Sequence, residues 1–218
     1  MPTPKRGYFT RNGTKVPGVT TILGRFKESG ALIHWAWSQG KAGKDFREER
    51  DAAASAGTLA HALVGLHLQG VSDSDVREKT PATILEPALV ALNNFLQWEK
   101  QNRYTVSLLE EPMVSEEYAF GGTPDLMLEL DGIRSIADIK TGGLYVEALC
   151  QLAAYRMLWN ENHPDKPVVG PFILLRFDRE HGDFSYHQFG ELDGAWQMFR
   201  RLRECYDLDR LLGGRLKG

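Results

Sequence analysis

GTPDLMLELDGIRSIADIK, residues 122–140, contains two short apolar runs joined by a tight turn. The runs on either side of Asp131-Gly132 have the length and composition of β-strands. Asp-Gly is typical of a two-residue hairpin turn because both residues tolerate positive φ. If the two strands pair through this turn, Asp125 and Asp138 lie nearly opposite each other at the open end of the hairpin.

The residues at the end of the second strand indicate a functional site. Successive strand residues point to opposite faces, so Asp138 and Lys140 share a face and Ile139 points away from it. Two converging carboxylates repel each other unless a cation lies between them or one takes up a proton. Mg²⁺ prefers such oxygens, and a lysine beside them can neutralise a phosphate. The pattern indicates a metal-dependent phosphodiesterase site, and a surface hairpin with Lys140 as an ion-pair partner is the alternative interpretation.

Composition limits the class of protein. The chain has 218 residues, of which 42% are hydrophobic and 25% charged, and its formal net charge is −3, as in many globular proteins. The N-terminus lacks the apolar run of a signal peptide, and no stretch reaches the length of a membrane span. Cys150 and Cys205 are too few for a disulfide framework or a four-thiolate zinc site. We expect a cytoplasmic protein with no membrane partner.

The charge is unevenly distributed. The net negative charge argues against a strongly basic nucleic-acid-binding protein. Basic side chains nevertheless cluster between Lys41 and Arg50 and again between Arg200 and Lys217. Either cluster could contact a phosphate backbone, and solvated helix faces are the equally plausible alternative.

The order of predicted elements indicates the fold class. Asn12-Gly13 predicts a small hairpin over residues 8–16, and residues 17–23 lead into a helical region. Polar residues 45–51 and a loop over 70–80 separate the helices that follow. Helices are predicted over 31–37, 55–68, 85–101, 144–160 and 192–212, the last ending at Gly213-Gly214, and strands over 104–114, 126–130, 133–139, 167–177 and 184–189. This order predicts an α/β sheet flanked by helices, in one domain over residues 1–218. Its parts are a hairpin and helix (1–50), a core (55–190) and a C-terminal helix (191–218).

Four motifs in this chain resemble those of the PD-(D/E)XK nuclease superfamily, in the order in which its RecB-like, phage-type exonuclease branch carries them. They are Gly57-Thr58-Leu59-Ala60-His61, Gly122-Thr123-Pro124-Asp125, Asp138-Ile139-Lys140 and Gln151-Leu152-Ala153-Ala154-Tyr155. Each motif alone is weak, but four in one order argue against a chance match. The resemblance covers residues 55–160 and implies a restriction-endonuclease-like core, with a central mixed β-sheet flanked by helices.

The resemblance also implies a metal centre. One or two Mg²⁺ or Mn²⁺ ions would be held by His61, Asp125, Asp138 and the carbonyl of Ile139. Lys140 would orient the attacking water or neutralise developing charge. Without the resemblance, a histidine in an apolar helix is ordinarily part of the core.

Three further residues follow from the same resemblance. Gln151 and Tyr155 are four apart and share a helix face, where they would act on a metal-bound water, a phosphate or a base. For Tyr155, simple helix packing is the alternative. Relatives often carry an acidic residue on the preceding strand. Because adjacent strand residues face opposite ways, only one of Glu110 and Glu111 can serve, and position favours Glu111.

The implied function is a metal-dependent DNA nuclease, most simply an exonuclease of phage recombination or DNA repair in a bacterium or a phage-infected host. Its substrate would be single-stranded or end-bearing duplex DNA, with Trp35, Trp37 and Tyr145 as candidates for stacking on bases. Core packing is the alternative for the tryptophans. An endonuclease of the same superfamily, or a non-catalytic nucleic-acid-binding protein that retains the fold, are the rival functions. A homo-oligomer or a recombination partner protein is compatible with the sequence.

Overall fold

The computed structural model describes residues 4, 7–27, 30–177 and 184–216. Within these ranges a five-stranded mixed sheet is flanked by helices, so the predicted α/β fold class is confirmed. In chain order the elements are β1 (Tyr8–Phe9), β2 (Lys15–Val16), α1 (Val19–Arg25), α2 (Gly30–Lys41), α3 (Phe46–Leu68), α4 (Ser74–Lys79), α5 (Ala82–Gln101), β3 (Tyr104–Leu109), β4 (Met113–Ser115), β5 (Phe120–Gly122), β6 (Leu126–Leu130), β7 (Ile133–Lys140), α6 (Val146–Asn162), β8 (Phe172–Phe177), β9 (Phe184–Phe189) and α7 (Asp193–Arg215).

The central sheet has the strand order β3-β6-β7-β8-β9. Among the described strands of this sheet, only β7 and β8 pair in parallel, and α6 forms the crossover that a parallel pair requires. The predicted hairpin is present: β6 and β7 pair antiparallel from Leu126↔Ala137 to Leu130↔Ile133. Asp131 and Gly132 form its turn with φ values of 51° and 80°, as a type I′ turn requires.

The two faces of the sheet pack against different helices. On one face, Ile136 joins a buried cluster with residues of α1, α6 and α7. On the other face, Ala137 and Ile139 join a cluster formed with α3 and α5. Burial on both faces explains why β6 and β8 are almost continuously apolar. None of the helices in the described ranges combines the length and apolar composition that a membrane span needs.

Two predicted non-helical segments are helical. The polar residues 45–51 form the cap and first turns of α3, because the Asp45 carboxylate accepts hydrogen bonds from the N–H groups of Arg47 and Glu48. Glu48 and Glu49 also lie where the helix dipole favours acidic side chains. Within the predicted loop 70–80, α4 forms with an Arg77–Asp73 ion pair one turn apart.

Three predicted boundaries also move. The strand predicted over 104–114 is divided into β3 and β4, because Glu110 has a φ of 49° and Pro112 cannot donate to a ladder. The strand predicted from Pro167 begins at Phe172. The closing helix continues through Gly213-Gly214 to Arg215, since neither glycine adopts the positive φ that ends a helix.

The N-terminal hairpin packs closely on β5. Tyr8 is buried, its hydroxyl lies 3.0 Å from the Thr123 Oγ1, and the Gly121 N–H donates to the Pro17 carbonyl at 2.9 Å. A Cβ added at Gly121 would lie 2.2 Å from Tyr8 Cγ and 2.4 Å from Tyr8 Cβ. Because these atoms are close to the tyrosine backbone, rotation of the ring alone cannot relieve the clash.

We expect Gly121→Ala to lower the free energy of unfolding by about 1–3 kcal/mol, the usual cost of overpacking a core. Urea denaturation followed by circular dichroism measures this loss. Gly24→Ala is the matched control, because an added Cβ there meets nothing within 4 Å and alanine favours the helix α1. Equal stability of the two variants would contradict the packing of the hairpin on β5.

Candidate active site

Asp125 and Asp138 face each other at the edge where β6 begins and β7 ends. The register Leu126↔Ala137 makes them the next opposed pair, and both are buried, with exposed fractions of 5% and 0%. One oxygen of each, Oδ1, has no hydrogen-bond partner among the described residues. Two buried carboxylates with unsatisfied oxygens carry a substantial desolvation cost.

Ile139 places backbone groups beside these carboxylates. β7 extends beyond the start of β6, so the Ile139 N–H has no partner strand on that side and donates instead to Asp125 Oδ2 at 2.9 Å. The N–H and C=O of one strand residue point to the same edge. The Ile139 carbonyl is therefore directed to the side on which Asp125 lies. Its side chain is buried in the opposite cluster, as the strand alternation predicts.

Lys140 connects Asp138 to α6. Its Nζ lies 2.6 Å from Asp138 Oδ2 and donates to the Gln151 Oε1 at 2.8 Å. The Gln151 Nε2 in turn donates to the Tyr155 hydroxyl at 2.9 Å. Tyr155 thereby fixes which end of the Gln151 amide faces the lysine.

Tyr155 cannot stack on a base, because it is only 1% exposed and lies within the core cluster. Its ring packs in the core, as the alternative interpretation predicted. Its hydroxyl accepts a hydrogen bond from Gln151. Burial raises the pKa of this hydroxyl well above its ordinary value, so it stays protonated. The structure therefore corrects the base-contact role and leaves Tyr155 as a positioning residue.

His61 reaches the site from α3. Its Nδ1 lies 3.4 Å from Asp125 Oδ2, and its side chain is 15% exposed. One turn earlier, a Cβ on Gly57 would lie 2.8 Å from the Thr141 Oγ1. The missing side chain at Gly57 therefore allows α3 to approach the segment that follows β7, which brings His61 to the carboxylates.

The two carboxylates differ in how readily they ionise. Burial, reinforced by the charge of Asp125, raises the pKa of Asp138 to about 6 despite the nearby Lys140. Burial also acts to raise the pKa of Asp125, but His61, Lys140 and the Ile139 N–H outweigh it, so the pKa is lowered. For His61, burial is the largest single effect and lowers the pKa, but the charge of Asp125, its contact with the imidazole and the charge of Asp138 together outweigh burial, so the pKa is raised. Such divergence is typical of carboxylates that share one site.

The structure corrects the choice between the two adjacent glutamates. Glu111 Oε2 lies 3.9 Å from His163 Nε2. Glu110 instead lines a cleft with His61, Asp125 and Ile139. Strand alternation predicted that only one of the two faces the site, and position favoured Glu111. The alternation does not apply here because β3 ends at Leu109 and Glu110 has a positive φ. Pro112 is the sequence signal for this break.

Two clefts meet at the site, and both are lined by His61 and Ile139. The larger, of about 640 Å³, also contains Lys140, Gln151 and Glu147 in its wall. The smaller, of about 410 Å³, is lined on its other side by Glu110 and Asp125. Both clefts therefore reach His61 and Ile139, the neighbours of the carboxylate pair, and the smaller cleft also reaches Asp125.

Arg176 is a basic residue of the site that the sequence motifs did not include. It lies opposite Lys140 in the β7–β8 pairing, and its Nε donates to the Gly142 carbonyl at 2.9 Å. This contact fixes the segment after β7 that forms part of the larger cleft. The sequence signal was a single arginine in the otherwise apolar strand Phe172–Phe177.

The donor atoms fit a hard divalent cation by type. Carboxylate oxygens and a backbone carbonyl are the ligands that Mg²⁺ and Mn²⁺ prefer, and Asp125 and Asp138 each present an unpaired buried oxygen. Within the described ranges, no three His, Cys, Asp or Glu side chains are already grouped as a metal site. A bound ion would thus require the carboxylates to turn from their present contacts with Lys140 and His61.

Comparison with known proteins gives only a distant likeness. No family model matches the chain, and no curated protein matches it. A candidate exonuclease from Eubacterium rectale is 13% identical, with a TM-score of 0.46, and the match covers 72% of this chain and 66% of that one. The crystal structure of SSO0001 is 16% identical, with a TM-score of 0.33 and coverage of 70% and 72%. This chain thus spans just under two thirds of the first protein, and the likeness is limited to general architecture.

Asp138→Asn tests the cost of the buried charge in the metal-free protein. The pKa of Asp138 is about 6 in the folded chain and about 3.9 when unfolded, so the folded state holds the extra proton between these values. The stability that this proton contributes is present below about pH 4 and is lost as the pH rises through 6. Relative to the parent, we expect the variant to gain about 1–2 kcal/mol of unfolding free energy between pH 5 and pH 8.

Urea denaturation in EDTA at both pH values measures this difference. Asp165→Asn is the control, because Asp165 is an exposed carboxylate outside the site. A difference between Asp138→Asn and the parent that stays constant or shrinks from pH 5 to pH 8 would contradict the assigned burial cost.

Proposed function

We propose that this chain is a metal-dependent deoxyribonuclease of the RecB-like PD-(D/E)XK type, acting as an exonuclease. The observation that carries the proposal is the opposed pair Asp125 and Asp138, buried with unpaired oxygens beside Lys140 where two clefts meet. A structural hairpin would gain nothing from two buried carboxylates. A site that binds a cation and a phosphate requires them.

His61, Asp125, Asp138 and the Ile139 carbonyl would hold Mg²⁺ or Mn²⁺. The ion would lower the pKa of a bound water and offset charge on the phosphate. Lys140 carries a positive charge whose pKa is raised, because Asp138 and Asp125 outweigh the effect of burial. That charge is aimed at the site by Gln151, which is itself held by Tyr155, and it stabilises negative charge that develops on the scissile phosphate.

The exonuclease assignment and its setting rest on the motif resemblance. His61 and the Gln151/Tyr155 pair are the elements that distinguish the RecB-like branch from other members of the superfamily, and they meet the carboxylates at one end of the hairpin. Single-stranded or end-bearing duplex DNA is the proposed substrate, in phage recombination or DNA repair. Both cysteines are free, in keeping with the reducing cytoplasm of a bacterium or an infected host.

Asp125→Ala, Asp138→Ala and Lys140→Ala should each reduce Mg²⁺-dependent cleavage of linear DNA by about a hundred- to a thousand-fold or more. The two aspartates would hold the metal ion, and Lys140 supplies positive charge that offsets the negative charge of the transition state. Cleavage of end-labelled DNA in Mg²⁺ measures the loss. Circular dichroism and thermal melts establish that each variant is folded. Normal cleavage by Asp138→Ala would refute the assignment.

Closed circular DNA separates the proposed exonuclease from an endonuclease. We expect the parent to degrade a linear duplex and to spare the same sequence as a closed circle. Cutting of the circle would transfer the proposal to an endonuclease of the same type. A parent that cuts neither form and is not stabilised by Mn²⁺ would match a non-catalytic protein with this fold.

The adjacent glutamates provide a test of the metal site that does not depend on activity. Glu110 shares a cleft with His61 and Asp125, whereas Glu111 faces His163. We expect Glu110→Gln to reduce the rise in melting temperature caused by Mn²⁺, since it removes negative charge near the ion. Glu111→Gln is the matched control and should leave that rise unchanged. A larger loss of the Mn²⁺-dependent rise in Glu111→Gln than in Glu110→Gln would instead support Glu111, as the sequence position predicted.

A further inference from the structure

A third cavity adjoins the larger of the two clefts at the candidate active site. Its volume is about 790 Å³, and its lining comes from α1, α2, α3, α7 and the start of α6. Most of the side chains in the wall are apolar or aromatic, among them Phe26, Leu32, Trp35, Val146 and Met198. The volume lies within the range of pockets that hold small organic ligands.

The cavity is continuous with the candidate active site. Lys27, Ala53, Tyr145 and Glu147 line both this cavity and the cleft that contains Lys140 and Gln151. A strand of DNA whose phosphate lies at Lys140 would therefore have a neighbouring nucleotide beside this apolar wall. A nucleotide combines an apolar planar base with an adjacent negatively charged phosphate, which matches an apolar wall next to Lys140.

The rim of the cavity pairs aromatic rings with cations. Tyr145 is 50% exposed, and the Lys27 Nζ lies 4.7 Å from its ring centroid. Trp35 packs edge-on against Phe46 at 5.4 Å, which holds its ring in the wall. Arg50 adds a second cation, although it is paired with Asp51, and Glu147 is the acidic group of the lining.

We propose that this cavity binds an unpaired nucleobase of the DNA strand whose phosphate occupies the candidate active site, an inference that rests on the proposed function. Tyr145 and Trp35 supply aromatic surface for the base, and every base has a π-face, so the contact tolerates any sequence. Lys27 neutralises the phosphate that flanks the base. The substrate strand is therefore single-stranded where it enters the site.

The structure distinguishes between the three aromatic residues that the sequence suggested for stacking on bases. Trp35 and Tyr145 are among the described residues that line the cavity, and Trp37 is not. Trp37 nevertheless resembles Tyr145 in being exposed, at 58%, and in having a lysine near its ring, with the Lys41 Nζ at 4.5 Å from the centroid. It therefore provides a matched control on the neighbouring surface.

Calorimetric titration with two oligomers of equal charge tests the inference. One is an unlabelled thymidine octamer, and the other is an octamer of abasic residues with the same sugar–phosphate backbone. Ca²⁺ replaces Mg²⁺ so that the strand is not consumed during the titration. We expect the parent to bind the thymidine octamer roughly ten-fold more tightly or better, the usual value of stacking one base on an aromatic ring.

Tyr145→Ala should reduce this preference for bases by roughly ten-fold, while Tyr145→Phe and Trp37→Ala should retain it. Thermal melts establish that the variants are folded, and Tyr145 is exposed enough for its removal to spare the core. Equal affinity of the parent for both octamers, or an unchanged preference in Tyr145→Ala, would overturn the inference.

The outcome is distinguishable from failure of the proposed function. A parent that cleaves DNA in Mg²⁺ but shows no preference for bases retains the nuclease assignment and loses the base pocket. A parent that prefers bases through Tyr145 but never cleaves DNA retains the pocket as a single-strand binding site and loses the nuclease assignment.

Discussion

The register between β6 and β7 is the constraint on which the site depends. Leu126 pairs with Ala137, so the next pair outward is Asp125 and Asp138. A slip of one residue would turn every side chain of β7 to the opposite face. That slip would move Ile136 out of the cluster with α6 and Ile139 out of the cluster with α3 and α5. Burial of both faces thus fixes the position of the carboxylates.

The unequal lengths of the two strands create the polar lining of the site. β7 continues past the first residue of β6, and on its other side Ile139 and Lys140 remain paired with β8. The backbone at Ile139 is therefore held firmly along one edge and left open along the other. Asp125 fills part of that opening by accepting the Ile139 N–H. The site therefore forms where β7 extends beyond β6 on one side while it remains paired with β8 on the other.

Sequence patterns predicted the hairpin because its signals are local. Alternation, the Asp131-Gly132 turn and the apolar runs all act within about twenty residues, and they gave the opposition of Asp125 and Asp138 correctly. The start of α3 was missed because a polar run resembles a linker unless its cap is recognised at Asp45. The role of Tyr155 was missed because long-range packing decides which face of a helix becomes buried. Glu110 was missed because the break in the strand at its positive φ was not recognised.

The burial of Asp138 affects which substitutions this sequence can accumulate. Its charged form is disfavoured in the folded chain, as its raised pKa records, so many neutral replacements would relieve a cost. If selection acted only on folding, a buried carboxylate of this kind could be replaced freely, because proteins tolerate substitutions until stability falls below a threshold. Asp138 lies next to a second carboxylate that also has an oxygen with no hydrogen-bond partner among the described residues. Selection for a bound ligand, rather than for the fold, is the pressure that would keep both residues in place.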